Sequence, residues 1–263
     1  MSAVALSAVV LTQNNAGVIA RCLSSLAFAD EVVVVDAQSG DGTDAIAREL
    51  GAHVVSNPWP GFAEQRRLGI ARARGEWIFM CDSDEEVTPE LAGEVLAIVG
   101  RDGGPDGYRV HRRNQFLGGW IEHGPWAHDM QMRLFRRAAG RITEQSVHEG
   151  AAVDGETPAL AARLLHYAHP TLAESFARGN RYSTLEARDR AGRRRIGAAD
   201  IVLGPMGVFF RFFFVRGCWR DGRRGYLLSA TTAMYYGLVY IKTCLLQRGT
   251  VQGAPRLSPR DGV

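Results

Sequence analysis

The 263-residue sequence predicts an α/β fold, a doubly wound and mostly parallel sheet, followed by a helical, membrane-associated extension at the carboxyl end. Two observations predict the sheet. Continuous apolar runs of strand length alternate with helical patterns in the amino-terminal part, and the spacings between them are short, which is typical of βαβ units. One observation predicts the extension: residues 186–263 hold 14 basic side chains against 5 acids, interleaved with the most apolar segments.

The composition excludes several classes of protein. Hydrophobic residues make up 46% and charged residues 22% of the chain, as in ordinary globular proteins. The four cysteines form no closely spaced pair, so neither a disulfide framework nor a zinc site is indicated, and we expect a reducing compartment. Residues 1–20 lack a basic region and a cleavage site, so secretion is not expected. The apolar content of the basic end favours a membrane surface over nucleic acid as its partner.

The first four strands follow from apolar runs. They are predicted at residues 5–12, 31–36, 53–56 and 77–80, with helices through Ile19 and Leu26 and at 44–50 and 62–74. The valine run in EVVVVD and the continuous WIFM run indicate strands that are buried on both faces. Right-handed crossovers would place the carboxyl ends of these parallel strands at one sheet edge, where ligands bind in such folds.

Polar side chains follow these strands where each ends. Asn14 follows the first strand, Asp36 ends the second, and Asp41 lies in the loop after it. Asp82 and Asp84 follow the fourth strand. No loop matches a dinucleotide-binding or P-loop sequence, so we expect these carboxylates to accept hydrogen bonds from ribose hydroxyls and a base N–H. Asp36 or Asp41 alone could equally be a turn or cap residue.

The acidic cluster at residues 82–86 has two interpretations. Carboxylates this close repel one another unless a cation joins them, and a hard divalent cation with oxygen ligands could then hold a diphosphate. Alternatively, the cluster is an acidic loop before a helix, because Thr88, Pro89 and Glu90 suit an N-cap, the first helical position and a first-turn acid. Glu85 and Glu86 fit either interpretation.

The segments VVVVDAQSGDGT, FAEQRRLGIARARGEW and MCDSDEEVTPEL together resemble the family 2 glycosyltransferases of GT-A fold, which has a Rossmann-like, mostly parallel sheet. The resemblance implies a metal-dependent, inverting enzyme that uses a UDP-sugar. Its DXD-type motif would run from Asp82 to Asp84, with both carboxylates as candidate ligands of Mg²⁺ or Mn²⁺. The predicted nucleotide-sugar-binding residues are Thr12, Asn14, Asp36, Asp41, Arg66 and Asp82.

The middle of the chain contains strands predicted at residues 107–113 and 130–136, with an aromatic, glycine-containing loop between them. Indole rings at the mouth of a pocket suit stacking on a sugar, so Trp120 and Trp126 are predicted to bind the acceptor. The alternative is that a buried tryptophan merely anchors the loop.

Inverting transfer needs a carboxylate that takes the proton from the acceptor hydroxyl. The order RLFRR followed by VHE parallels the position of the acidic pair that carries the base in related enzymes, so Glu149 is the candidate base and Asp129 the reserve. The alternative for Glu149 is a helix-start acid. His148 is predicted to bind the acceptor, with a polar core histidine as its alternative.

The segments LGGW, DMQMRLFRR, VHE, LLHY and NRYSTLEA resemble one branch of this family, the lipopolysaccharide-core β-1,4-glucosyltransferases. That branch moves glucose from UDP-glucose to an inner-core heptose. The insertion EHGPWAH before Asp129 departs from its pattern where the acceptor should bind, so the identity of the acceptor stays open, and a polyprenyl-linked saccharide is one alternative. A membrane protein that binds a nucleotide-sugar without catalysis is a separate alternative. His166 is either a further metal ligand, as late histidines are in some GT-A enzymes, or a hydrogen-bonded structural histidine.

Two apolar segments near the carboxyl end flank the arginine-rich turn RGCWRDGRRG. Residues 201–215 are interrupted by Arg211, and residues 225–241 are a charge-free run of 17 residues, whereas a spanning helix needs about 20 apolar residues. We therefore predict a hairpin in the interface of the inner membrane, on the cytoplasmic face. A helical pair on the sheet or at a dimer contact is the alternative, and the oligomeric state stays open.

Three segments with separate roles are predicted from these patterns. Residues 1–105 would bind the nucleotide-sugar, and residues 106–190 would bind the acceptor and carry the catalytic base. Residues 191–263 would form the basic and apolar membrane-interface segment.

Overall fold

A computed structural model describes residues 4–143, 150–169 and 171–249. Glu149 and His148 lie outside the described residues. The described chain forms two compact units. The first contains the described residues of 1–112 and 130–166, and the second contains those of 113–129 and 167–249.

The first half of the main sheet is parallel. Its strands lie in the order β3-β2-β1-β4 and comprise β1 (Leu6–Thr12), β2 (Glu31–Asp36), β3 (His53–Ser56) and β4 (Trp77–Asp82). The connecting helices are α1 (Ile19–Ser25), α2 (Thr43–Glu49) and α3 (Phe62–Arg72). Every residue of β1 is buried, as expected for a strand with helices on both faces.

The second half of the sheet is antiparallel. After β4 the order continues β8-β6-β11-β5; these strands and the intervening helix are β5 (Glu85–Val87), α4 (Pro89–Val99), β6 (Gly107–Phe116), β8 (Met130–Arg136) and β11 (Ala159–His169). The short strand β7 (Gly119–Trp120) pairs with β6 in the same sheet. A separate two-stranded sheet is formed by β9 (Arg141–Ile142) and β10 (Ala151–Ala152). A Rossmann-like parallel half extended by antiparallel strands confirms the predicted GT-A type of fold. The sheet is mixed and not mostly parallel as predicted, because β8, β6 and β5 pair with antiparallel neighbours.

The strand β4 divides the core into two layers. Trp77 and Phe79 belong to the cluster on one face of the sheet, whereas Ile78 and Met80 belong to the cluster on the other. All four side chains are at most 3% exposed, and burying a side chain of this size contributes about 1.5–3 kcal/mol. The end of β4 is therefore held firmly from both sides.

The second unit is mainly helical. Its helices are α5 (Leu172–Ala191), α6 (Ala198–Phe210), which continues as a π-helical stretch Arg211–Val215, and α7 (Gly222–Gln247). Short 3-10 turns are formed by Pro125–His128 and Cys218–Asp221. α7 packs against both α5 and α6. It is longer than the charge-free run of the sequence because polar residues at both ends continue the helix.

Two helical glycines test the packing of the first unit. A Cβ atom at Gly69 in α3 would lie 2.4 Å from Val9 Cγ1 and 3.0 Å from Val35 Cγ2, whereas Gly93 in α4 has open space. We expect Gly69→Ala to destabilise the protein, because overpacking of about 1–3 kcal/mol outweighs the gain in helix propensity of about 1 kcal/mol. Gly93→Ala, the matched control, should stabilise it. Urea unfolding midpoints measure both, and equal shifts would contradict this packing.

Candidate active site

The strand register brings the predicted polar strand ends together. Thr12 pairs with Asp36, and the neighbouring Leu11 pairs with Asp82 on the other side of β1. β2, β1 and β4 therefore end side by side, and the predicted common edge is confirmed.

Asp36 and Asn14 organise the loop after β2. The buried Asp36 carboxylate accepts hydrogen bonds from the Ser39 N–H at 2.9 Å and the Ser39 hydroxyl at 2.5 Å. Asn14 has a positive φ of 54°, its Oδ1 accepts from the Gly40 N–H at 2.9 Å, and its own N–H donates to Ser39 Oγ at 2.8 Å. Both residues hold this loop against the end of β1.

The Asp41 side chain connects the loop after β1 with the loop after β2. Its carboxylate accepts from the N–H and hydroxyl of Thr43 and from the N–H of Ala16 at 3.0 Å. Desolvation raises the pKa of Asp41, but these hydrogen bonds outweigh it and hold the pKa below its usual value. Thr12 Oγ1 accepts from Asn15 Nδ2 at 3.4 Å. The turn and cap contacts considered for Asp36 and Asp41 are thus present, and their roles toward a nucleotide stay predictions.

Three arginines surround Asp82. The Arg133 guanidinium of β8 donates to its Oδ2 at 2.8 Å, while Arg66 of α3 and Arg112 of β6 lie 3.7 Å and 3.9 Å from its oxygens. Arg66 also lies over the Phe62 ring, 5.7 Å from its centroid. Predicted site residues Arg66 and Asp82 are therefore brought into contact.

The buried Glu85 contacts two of the arginines that surround Asp82. Its side chain is 0% exposed, its Oε1 contacts Arg133 and, at 3.3 Å, Arg112, and its Oε2 accepts from the Asp82 N–H at 2.8 Å. We call Asp82, Glu85, Arg66, Arg112 and Arg133 the arginine cluster. It contains three cations and two anions, which leaves one excess positive charge.

Within the arginine cluster, Asp82 and Arg133 keep each other charged. Desolvation raises the pKa of Asp82, but the charges of Arg133, Arg66 and Arg112 outweigh it and hold the pKa far below its usual value. Desolvation lowers the pKa of Arg133, and Asp82 and Glu85 more than reverse that effect. The Asp82 side chain is still 27% exposed, so a ligand can reach it.

Asp84 and His166 form a second pair at this edge. Their Oδ2 and Nε2 atoms lie 3.5 Å apart, because β11 pairs with β5 and sets His166 opposite Glu85. A carboxylate and an imidazole are suitable donors for a divalent cation whose other positions are filled by phosphate oxygens and water. Among the described residues, no group of three or more His, Cys, Asp or Glu side chains is placed to hold a metal. The Asp82 oxygens, in contrast, face guanidinium groups.

The capping contacts considered for the acidic segment are present in the structure. The Thr88 hydroxyl accepts from the Leu91 N–H at 3.2 Å, and Pro89 begins α4. Glu85 and Glu86 lie before this cap in the short strand β5. One segment therefore both starts a helix and supplies the polar edge.

In the second unit, Asn114 fixes two of the predicted acceptor-side residues. Its Nδ2 donates to the Trp126 carbonyl at 2.8 Å and to Asp129 Oδ2 at 3.2 Å. The Trp126 ring packs edge to face against Phe116, with 5.8 Å between centroids, beside the buried Ile121. These are contacts of an anchoring residue.

Trp120 has a different environment. Its ring lies 5.4 Å from that of Tyr167, and the Arg113 guanidinium lies 5.0 Å from its centroid. Arg113 also forms an ion pair with Glu122. This aromatic and cationic group offers a ring surface with hydrogen-bond donors beside it, which is suited to a sugar.

Sequence reasoning did not assign Arg112 or Arg133 and left Glu85 ambiguous. A signal was present in MQMRLFR, because an arginine within an apolar strand is almost never buried without an acidic partner. The identity of that partner depends on the pairing of β8 with β4, which the pattern alone does not give.

Comparisons with known proteins identify the family of this chain. Residues 7–150 match the family described as Glycosyl transferase family 2. The chain is 30% identical to the lipopolysaccharide core biosynthesis glycosyltransferase LpsC of Rhizobium meliloti, with 96% of each chain covered. It is 28% identical to an uncharacterized glycosyltransferase of Rickettsia felis, covering 94% of this chain and 92% of the relative.

Solved structures give weaker likenesses. Staphylococcus aureus TarS 1–349 in complex with UDP-GlcNAc has a TM-score of 0.47 at 14% identity, covering 94% of this chain and 91% of that one. Mannosyl-3-phosphoglycerate synthase from Rubrobacter xylanophilus has a TM-score of 0.45 at 18% identity, covering 75% and 79%. Neither likeness bears on the ligands of this chain. Because the family match spans more than half of the sequence, the chain belongs to glycosyl transferase family 2.

Proposed function

We propose that this glycosyltransferase is metal-dependent and inverting, and that it moves a hexose from a UDP-sugar to a lipopolysaccharide inner-core or similar glycolipid acceptor. The observation that carries the proposal is the arginine cluster at the end of β4, next to the pair of Asp84 and His166. An excess positive charge in a largely buried cluster suits the charge that develops on a departing nucleoside diphosphate. Glucose is the hexose that the family resemblance implies.

The donor side would use the sheet edge. Asp36 and Asp41 would meet the base and ribose, supported by Thr12 and Asn14, and Asp82 with Arg66 would meet the ribose or diphosphate. Asp84 and His166 would hold Mg²⁺ or Mn²⁺, which when bound neutralises charge on the diphosphate. The prediction that Asp82 is also a metal ligand is less well supported, because its carboxylate contacts three guanidinium groups.

On the acceptor side, Glu149 is proposed as the general base that takes the proton from the attacking hydroxyl, with Asp129 in reserve. Trp120 and His148 are proposed to bind the acceptor sugar. The prediction that Trp126 also binds it is less well supported, because the Trp126 ring packs against Phe116. The name of the Rhizobium meliloti relative supports a lipopolysaccharide core acceptor. An acceptor of this kind is a membrane lipid, so we place the enzyme on the cytoplasmic face of the inner membrane. The three roles proposed for residues 1–105, 106–190 and 191–263 follow from this division.

The proposal predicts activity on a defined pair of substrates. With UDP-glucose and Mn²⁺, the protein should add one hexose to lipopolysaccharide truncated after the inner core, as measured by mass spectrometry. EDTA should abolish the transfer, and added Mn²⁺ should restore it. Transfer only to a polyprenyl-linked saccharide would replace the acceptor class. UDP binding without any transfer would favour a non-catalytic protein.

The base can be assigned with two isosteric variants. We expect Glu149→Gln to lower kcat by about 10²–10⁴-fold, the usual contribution of a general base, while UDP affinity in Mn²⁺ stays unchanged by calorimetry. Asp129→Asn serves as the matched variant and should retain most activity. The reverse result would move the role of base to Asp129.

Arg133 is proposed as a positioning residue that holds Asp82 and Glu85. Replacing it with methionine leaves buried carboxylates incompletely paired, which should cost about 3–5 kcal/mol of folding stability. UDP affinity should fall as well, and Arg133→Lys should restore part of both.

The control for this variant is Arg141→Met. Arg141 and its partner Asp154 are 56% and 89% exposed, and exposed ion pairs contribute little to folding stability. Denaturant unfolding and UDP calorimetry on both variants check the prediction, and equal losses in the two would contradict it.

A further inference from the structure

We infer that the hairpin of α6 and α7 is an in-plane membrane-binding element, with the outer face of α6 inserted into an anionic leaflet and neither helix crossing it. The inference deepens the proposed function, because it specifies how this enzyme meets a lipid acceptor. It rests on contacts within the second unit.

The outer face of α6 and its π-helical continuation is apolar and open. Its large side chains recur at helical spacing and are 53–67% exposed; they are Val202, Leu203, Met206, Phe210, Phe214 and Val215. The helix Ala198–Val215 is apolar and long enough to cross a membrane by length and composition, and no part of it is buried. A soluble protein rarely exposes so continuous an apolar stripe without a partner for it.

The inner face of α6 is already used by α7. A Cβ atom at Gly204 would lie 2.4 Å from the Tyr240 ring, and Pro205 lies against Gly237. Phe209 packs edge to face on Tyr226 at 5.5 Å. The hairpin is therefore a packed pair of helices with one free apolar side.

Basic side chains at the hairpin tip indicate the chemistry of the partner. Arg211 lies on the same side as the apolar stripe, Arg216, Arg220 and Arg223 follow at the tip, and all four are exposed. Trp219 between them is 55% exposed. An apolar face bordered by arginines and an indole matches lipid tails bordered by anionic headgroups.

The tip is attached to the aromatic loop of residues 113–129, which argues against crossing. The Asp221 carboxylate accepts from the N–H groups of Glu122 and His123 at 3.3 Å and 3.0 Å and contacts His123 Nδ1 at 2.9 Å. Gly124 lies so close to Cys218 that a Cβ atom would be 2.3 Å from its sulfur. A crossing hairpin would carry this loop and the tip arginines across the bilayer as well.

The carboxyl-terminal part of α7 also contacts polar groups. Lys242 Nζ contacts the Asn180 carbonyl at 2.6 Å and the side-chain oxygens of Asn180, Ser183 and Thr184 at 2.7–2.8 Å. All of these lie on α5, a helix rich in charged residues. α7 could not enter lipid without α5, and irregular or charged elements are not tolerated against lipid tails.

Membrane binding through this hairpin would fix the distance between the membrane surface and the residues proposed to bind the acceptor. Since the tip arginines lie at headgroup level, the attached loop with Trp120 also lies at the membrane surface. The sugar of a glycolipid could be bound without leaving the leaflet.

Vesicle flotation with the purified full-length protein tests the inserted face. We expect binding to preformed vesicles of phosphatidylcholine with one quarter phosphatidylglycerol, and at least tenfold weaker binding to pure phosphatidylcholine or at high salt. The double variant Phe210→Glu with Phe214→Glu should lose binding at least tenfold. Leu96→Glu, at an apolar site in α4 that is 47% exposed, is the matched control and should bind like wild type.

Cysteine labelling distinguishes a hairpin that lies in the plane of the membrane from one that crosses it. The four native cysteines are buried, so Arg220→Cys provides an exposed thiol at the tip. In vesicle-bound protein, an impermeant maleimide added from outside should label it, and protection would overturn the in-plane arrangement. Analytical ultracentrifugation tests the alternative of a dimer. If the wild-type protein is a dimer that Phe210→Glu dissociates, while vesicle binding is unchanged, the apolar face of α6 would instead bind a second copy of the chain. UDP affinity should be unchanged in every variant, so failure of the donor proposal would be seen separately.

Discussion

The contact of Arg133 with Asp82 and Glu85 is the interaction on which the site depends. Charged groups lose several kcal/mol of solvation each when they are buried, so these three side chains are stable only together. Arg133 lies on β8 and Asp82 at the end of β4, and these strands pair where the sheet changes from parallel to antiparallel. The same contact therefore joins the two halves of the sheet and fixes the acidic strand end.

This arrangement gives the two aspartates of the motif different surroundings. Asp82 forms ion pairs with guanidinium groups, while Asp84 lies 3.5 Å from the imidazole of His166. A sequence motif of two acids with one residue between them thus divides into one carboxylate that faces fixed positive charge and one that faces an imidazole. Asp82 ends β4 and Asp84 lies in the turn before β5, and the two carboxylates differ because they face different partners.

Local patterns predicted the parallel half well, and long-range pairing explains what they missed. The strands at residues 31–36 and 53–56 were predicted at their observed bounds, because runs of β-branched residues have a clear signature. β5 was missed, since a three-residue strand with two acids becomes a strand only through pairing with β11. The arginine cluster was missed for a similar reason: Arg133 is 51 residues from Asp82 in sequence.

The second unit is assembled from two pieces that are far apart in the chain, the loop of residues 113–129 and the helices after residue 167. Asp221 and Gly124 show that the pieces are fitted to each other in detail. A chimera that exchanges only the loop with a relative would separate these partners. An exchange of this unit between members of the family should therefore take both pieces from the same parent, even though the family match itself ends at residue 150.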